Sequence, residues 1–137
     1  MAANVVVPDG HYLMQLRRDR YDIWNPSCWC CFGESVDELE TRKRELRYNL
    51  HEGLELNTIA PFRYFAQIAS DYRRWGYGIK RRNYFEVTLS FREFELLILH
   101  EGQAYRLFSA EAVMLEPMLA AYDCYDLRMH VQIGLLR

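Results

Sequence analysis

Asp71-Tyr72-Arg73-Arg74-Trp75-Gly76-Tyr77-Gly78-Ile79-Lys80-Arg81-Arg82-Asn83-Tyr84-Phe85 is the stretch whose reading decides the fold. It holds five of the seventeen basic residues, five aromatic rings and two glycines. Its first half reads as the end of a helix. Phe62, Phe65, Ile68, Tyr72 and Trp75 recur at helical spacing, so a helix starts near Asn57 or Thr58, with Pro61 in its first turn. Arg73 and Arg74 then meet the exposed carbonyls of the last turn, and Gly76 caps it. The second half reads as an exposed connection into a strand in which Phe85, Val87 and Leu89 alternate with Glu86, Thr88 and Ser90.

The charge is distributed unevenly around this stretch. Residues 58–84 carry six bases against Asp71, while 34–57 carry seven acids and four bases and 85–137 eight acids and four bases. The chain totals a net charge of -2, and fifteen of its bases are Arg. Arg forks onto phosphates and carboxylates and stacks on rings, so a basic, aromatic middle suits binding. Its 137 residues, half of them hydrophobic, suit one folded domain over 1–137, with sub-structures at 11–56 and 57–137. No apolar run approaches a membrane span and no signal peptide opens the chain, so a soluble cytoplasmic protein is expected.

Upstream, His11 to Arg17 reads as a strand with Arg17, Arg18 and Arg20 beyond it, and Ser27 to Phe32 as its hairpin partner. Ser35 with Glu38 forms a capping box that opens a surface helix over about 36–52, stopped by Gly53. Downstream, Ser90 and Glu93 form a second capping box. Residues 91–100 can be read as helix or strand, and agreeing start, period and stop signals favour the helix. Ala104 to Phe108 follows as a short strand, then a helix from Ala110 to about Tyr122, kinked or divided at Pro117. Leu127, Met129, Val131, Ile133 and Leu135 alternate as in a strand. The fold class is α+β, a single domain with a small, mostly antiparallel sheet packed against three to four helices.

Leu89-Ser90-Phe91-Arg92-Glu93-Phe94-Glu95-Leu96-Leu97, then Gly102, Phe108-Ser109-Ala110-Glu111 and Met129 to Arg137, resemble parts of the winged helix-turn-helix of response-regulator transcription factors. The resemblance covers about 87–137 and none of the first 84 residues. It implies a helix pair there, with the start of a recognition helix at Met129.

The chemistry-bearing motifs give no enzyme. Cys28, Cys30, Cys31 and Cys124 lack metal or redox spacing and read as buried thiols, and no spacing ties them to His11, His51, His100 or His130. Arg73-x-x-Gly76-x-Gly78 matches the pyrophosphate signature of acetyltransferases. Such a loop needs a strand before it and a helix after, the reverse of the order read here. No catalytic residue, cofactor or metal site is expected. The expected function is a non-enzymatic accessory regulator or inhibitor, of virus or phage type, docking on a protein partner. The alternative is direct DNA or RNA binding. Arg17, Arg18, Arg20, Arg74, Tyr77, Lys80, Arg81, Arg82 and Tyr84 are the candidate contact residues.

Overall fold

The decisive stretch folds as half of a long β-hairpin. In the computed structural model, which describes residues 2–7, 10–23, 25–33, 50–51, 62–100 and 102–135, strand β4 (Arg63–Asp71) pairs antiparallel with β5 (Ile79–Thr88). A 3-10 turn at Arg73–Trp75 lies between them. The helix expected from about 57 to 75 is therefore a strand over Arg63–Asp71, and only its last turn, Arg73–Trp75 capped by Gly76, is helical. The reason lies in a bulge: the register shifts between Tyr64 and Ala66, leaving Phe65 as the extra residue. In a regular strand Phe65 and Ile68, three apart, would face opposite ways. The bulge brings both onto one core, and so reproduces a helical spacing in extended chain.

The other elements are β1 (Ala2–Val7), β2 (His11–Leu16), β3 (Trp29–Cys30), α1 (Phe91–Glu95), β6 (Ala104–Phe108), α2 (Ala110–Leu115) and α3 (Ala121–Leu135). The strands join one six-stranded sheet in the order β3-β2-β1-β5-β4, with β6 also on β2. Every pairing is antiparallel except β1 with β5. The expected α+β class, a mostly antiparallel sheet with a few helices, is what the structure shows.

One detail of the pairing shapes the molecule. Residues 12–16 of β2 pair with β6, so β1 (on residues 11–13) and β3 (on 15–16) must share the opposite edge. Beyond Leu13, β1 therefore parts from β2 and β3 takes its place, and the sheet splays into a V. β3 is held on its far side by the segment before α3: Trp29 N donates to Met118 O at 2.8 Å and Ala120 N to Trp29 O at 2.8 Å.

Apolar side chains fill both faces. Leu13, Phe32, Leu50, Phe85, Val87 and Leu97 pack on one, and Met14, Tyr84, Phe108, Val113, Leu127 and Val131 under α2 and α3 on the other. The strand expected at 127–135 is the second half of α3. Leu127 and Val131 face inward while Met129 and Ile133, also four apart, face outward. Apolar residues on two sides of a helix produce the alternation of a strand.

Other expectations hold locally. Ser90 Oγ accepts from Glu93 N at 3.1 Å and Glu93 Oε1 from Ser90 N at 3.1 Å, the capping box of α1. That helix stops after Glu95, because Leu97 must turn into the core. The break at Pro117 separates α2 from α3. The expected helix over 36–52 lies outside the described residues except for Leu50 and His51, which are helical. The returning strand expected at 27–32 is reduced to Trp29–Cys30.

Asp123, in the first turn of α3, sits in the V with its side chain fully buried. It accepts from Cys31 N at 2.9 Å on one arm, and from Arg82 Nε at 2.9 Å and Tyr84 OH at 2.8 Å on the other. Asp123→Asn should lower unfolding stability by about 3–5 kcal/mol, because it strands Arg82 in the interior. Arg82→Met in that background should recover part of the loss in urea titrations. Simply additive losses would show that the two do not act as a pair.

Candidate functional site at the splayed end

The chain leaving β2 forms one wall of a cavity of about 360 Å3 lined by Gln15, Arg17, Arg18, Arg20, Ile23, Gly33 and Gly102. Arg17, Arg18 and Arg20 give this wall its positive charge, and guanidinium groups suit a multiply charged anion, since each carries a fork of donors and cannot lose its charge. The wall is braced from within. Gln15, buried in β2, donates from Nε2 to Cys31 O at 3.4 Å. Gln103 donates from its backbone N to Leu16 O at 2.9 Å and from Nε2 to Arg17 O at 2.6 Å. Gly102 has φ +68°, and a Cβ there would lie 2.6 Å from Leu16 O, so this close approach requires glycine. Arg20 is forked onto Asp22 at 3.0 and 2.6 Å on the exposed rim.

The interior beside this wall is highly polarised. The guanidinium carbons of Arg17 and Arg82 stand 5.7 and 5.0 Å from the centroid of the Tyr122 ring. Burial opposes the charge on Arg82, and Asp123 more than offsets it, so the pKa of Arg82 rises. Burial, reinforced by Asp123, raises the phenol of Tyr84. Burial, followed by Asp123, pushes the Cys30 thiol from 9.0 up to about 12 and raises Cys31 as well. On the α3 side of the sheet, His130 reaches Tyr12 OH from Nδ1 at 2.6 Å and donates from Nε2 to Glu86 Oε2 at 2.7 Å. It thereby ties α3 to β2 and β5, the strands that flank β1.

The nine expected contact residues separate into three groups. Arg17, Arg18 and Arg20 line the cavity. Arg74, Tyr77, Lys80 and Arg81 are exposed on the β4–β5 hairpin. Arg82 and Tyr84 turn inward to Asp123, so they belong to the interior rather than to an exposed connection. The R-x-x-G-x-G segment joins two antiparallel strands. Its backbone N–H groups at Trp75, Gly76 and Tyr77 donate to carbonyls within the turn, not outward to a phosphate. Among the described residues no three of His, Cys, Asp and Glu stand together as a metal site, and no helix is long and apolar enough to cross a membrane.

Asp123, Glu86, His130 and Gln15 were not singled out from sequence. Gln15 carried a signal, a polar residue on the buried side of an apolar strand. Asp123 carried none, because its helix was not anticipated to begin at Ala121.

No protein-family model matches this chain, and no curated protein matches it by sequence. Solved structures match it over nearly its whole length. The MutT protein from Methanosarcina mazei Go1 superposes with a TM-score of 0.76 at 16% identity, covering 99% of this chain and 93% of that one. An Ap4A hydrolase from C. elegans gives 0.65 at 15%, covering 99% and 98%. The E. coli dihydroneopterin triphosphate pyrophosphohydrolase gives 0.65 at 17%, covering 96% and 94%. The fold is thus that of the MutT/Nudix hydrolases.

These matches overturn two expectations. Residues 87–137 are part of one whole-chain fold, not a winged helix-turn-helix; they run from β5 through α1, β6 and α2 to α3. The non-enzymatic regulator or inhibitor of virus or phage type, with its direct DNA- or RNA-binding alternative, gives way as well, because hydrolases such as the Ap4A hydrolase and the dihydroneopterin triphosphate pyrophosphohydrolase share the entire fold.

Two outcomes follow from the site. At pH 8 a thiol reagent should label the half-buried Cys28 and Cys124 in the native protein, and Cys30 and Cys31 only on unfolding. Because the folded pKa of Cys30 is raised, its contribution to stability is complete below about 9 and is lost as pH rises through about 12. Labelling of all four at one rate, counted by mass spectrometry, would contradict this. Gly102→Ala should cost about 2–5 kcal/mol, its clash with Leu16 O added to the positive-φ penalty. Gly76→Ala, with open space around it, should cost only the positive-φ penalty of about 1–2 kcal/mol. Thermal melts of the two variants, read side by side, test the order.

Proposed function

We propose that this chain hydrolyses a phosphoanhydride bond in a nucleotide-like substrate held at the Arg17–Arg18–Arg20 cavity. The observation that carries this reading is the whole-chain fold shared with hydrolases whose names, Ap4A hydrolase and dihydroneopterin triphosphate pyrophosphohydrolase, have phosphoanhydride substrates in common. The cavity supports it independently. Three arginines on one wall match the oxygens of linked phosphates, and Ile23 offers an apolar contact beside them.

Hydrolysis of this kind is served by a divalent cation on oxygen donors, which bridges phosphate oxygens and lowers the pKa of water. The described residues do not supply such a donor set. In the sequence, Gly33 of the cavity wall is followed by Glu38, Glu45 and Glu52, spaced by seven and seven. In the helix expected from sequence over about 36–52, that spacing brings those positions to one side. We propose these carboxylates as the cation's donors, and the cytoplasm as the location, given four free cysteines.

The test uses the full chain with magnesium or manganese and three substrates: a nucleoside triphosphate, diadenosine tetraphosphate and ADP-ribose. Release of phosphate or a nucleoside monophosphate from at least one is expected. Arg18→Ala should lower kcat/KM by about tenfold to a hundredfold, the equivalent of the roughly 1.5–3 kcal/mol of a charge-assisted hydrogen bond. Glu38→Gln or Glu45→Gln should raise the metal concentration needed for half activity. No turnover of any of the three with either metal would overturn the reading.

A further inference from the structure

Helix α3 carries its charges inward and its apolar residues outward. Asp123, Asp126 and His130 are buried, and Arg128 is half-buried, reaching back to Glu116 O at 3.3 Å. The exposed positions are Ala121, Tyr125, Met129, Gln132, Ile133 and Gly134, and none of them is charged. A surface helix ordinarily turns its charges to water, and a helix that is apolar on both sides is ordinarily covered on both. Among the described residues nothing covers the outer side of α3: Tyr125 is 76% exposed, Met129 39% and Ile133 38%.

The apolar surface continues beyond the helix. Arg128 lies one turn from Tyr125, and its contact with Glu116 brings the end of α2 alongside, where Leu115 is 72% exposed and Met118 47%. Together the five side chains offer on the order of 500 Å2, toward the upper end of the about 300–600 Å2 of the largest apolar patch on a typical monomer. A stable interface takes about 800 Å2 from each partner, so this patch supplies most of one and a polar rim of Gln132 and Arg128 adds to it.

Tyr125, Met129 and Ile133 form one ridge at a spacing of four, with Met129 midway. Turned about a two-fold axis beside Met129, the ridge meets itself antiparallel. Tyr125 of one copy then lies against Ile133 of the other at both ends, a large ring against a smaller branched chain, and the two Met129 side chains meet in the centre. Ridges of this kind pack into each other's grooves at about −50°, the commonest helix crossing. Such self-complementarity is what a two-fold interface requires and what a different partner does not. A charged partner finds no opposite charge on the ridge, and an anionic membrane finds no lysine or arginine among the exposed positions of α3.

We propose that the outer face of α3 is the interface of a homodimer, covered by a second copy of this chain across a two-fold axis beside Met129, with Leu115 and Met118 at its margin. The dimer is independent of the hydrolase reading, since no residue lining the arginine cavity belongs to this face.

The experiment measures the mass of the full chain by sedimentation at about 50 µM, within the range in which an interface of this size associates. The wild type should sediment as two chains. Met129→Arg sets like charges against each other at the axis and should raise the dissociation constant at least tenfold. Tyr125→Lys/Ile133→Lys and Tyr125→Glu/Ile133→Glu should each be monomeric alone and dimerise when mixed one to one, because the antiparallel register sets each introduced cation against an introduced anion. Thermal melts confirm the fold of each variant, and misfolded chains would not regain a dimer on mixing. A wild-type monomer overturns the proposal and leaves the face to a different chain; flotation of that monomer with phosphatidylglycerol vesicles assigns it to a membrane surface instead. A dimer that survives Met129→Arg and both charge pairs overturns it as well, since the contact then lies elsewhere. A mixture that stays monomeric overturns the antiparallel register.

Discussion

The buried carboxylate of Asp123 is the contact on which the splayed sheet depends. Where β1 leaves β2, two sheet arms diverge and a backbone N–H on one side and a guanidinium and phenol on the other face the gap. Taking a carboxylate and a guanidinium out of water costs several kcal/mol for each ion. Three donors on one carboxylate, one of them charged, offset that cost and at the same time fix where α3 must begin. The chain therefore breaks after α2, runs past Trp29 as Met118–Ala120, and only then turns into a helix. Pro117 marks the break in the sequence, but the need for it comes from the gap.

The same contact explains which parts of the fold were legible. Local signals that close on themselves were read correctly: the Ser90–Glu93 capping box, the Ala104–Phe108 strand and the division at Pro117 each rest on residues a few positions apart. Signals whose meaning depends on a distant partner were not. Phe65 and Ile68 look helical because a bulge, created by pairing with β5, puts them on one face. The alternation from Leu127 to Ile133 looks like a strand because α3 carries apolar residues on its outer as well as its inner side. In both places the period was real and the element was decided elsewhere. β1 was missed altogether, although Val5-Val6-Val7 is a β-branched run and the strand joins the two halves of the sheet.

The charges of the candidate site are visible in the sequence and its architecture is not. Clustered arginines stand out from sequence alone, but sequence cannot say which of them the interior consumes. Arg82 differs from Arg81 by one position, yet the pleat sends it to Asp123 while Arg81 stays in solvent. Arg17, Arg18 and Arg20 look like a turn's solvated charges until Gly102 and Gln103 are seen closing on the end of β2 and making a wall of them. A hydrolase scaffold cannot be read from such fragments, because it consists in the order and direction of strands.

Direction matters most for the one parallel pairing. Had β5 met β1 antiparallel, as every other pair in the sheet does, the turn between β4 and β5 would lie at the opposite end of the sheet from the arginine-lined cavity. Parallel pairing demands a crossover between the strands, and the long excursion from β2 to β4 supplies the chain for it. The sequence therefore interposes between β1 and β5 both the arginines that follow β2 and the acidic run that follows Gly33. The place of Arg17, Arg18 and Arg20 at the splayed end is a consequence of topology before it is one of chemistry.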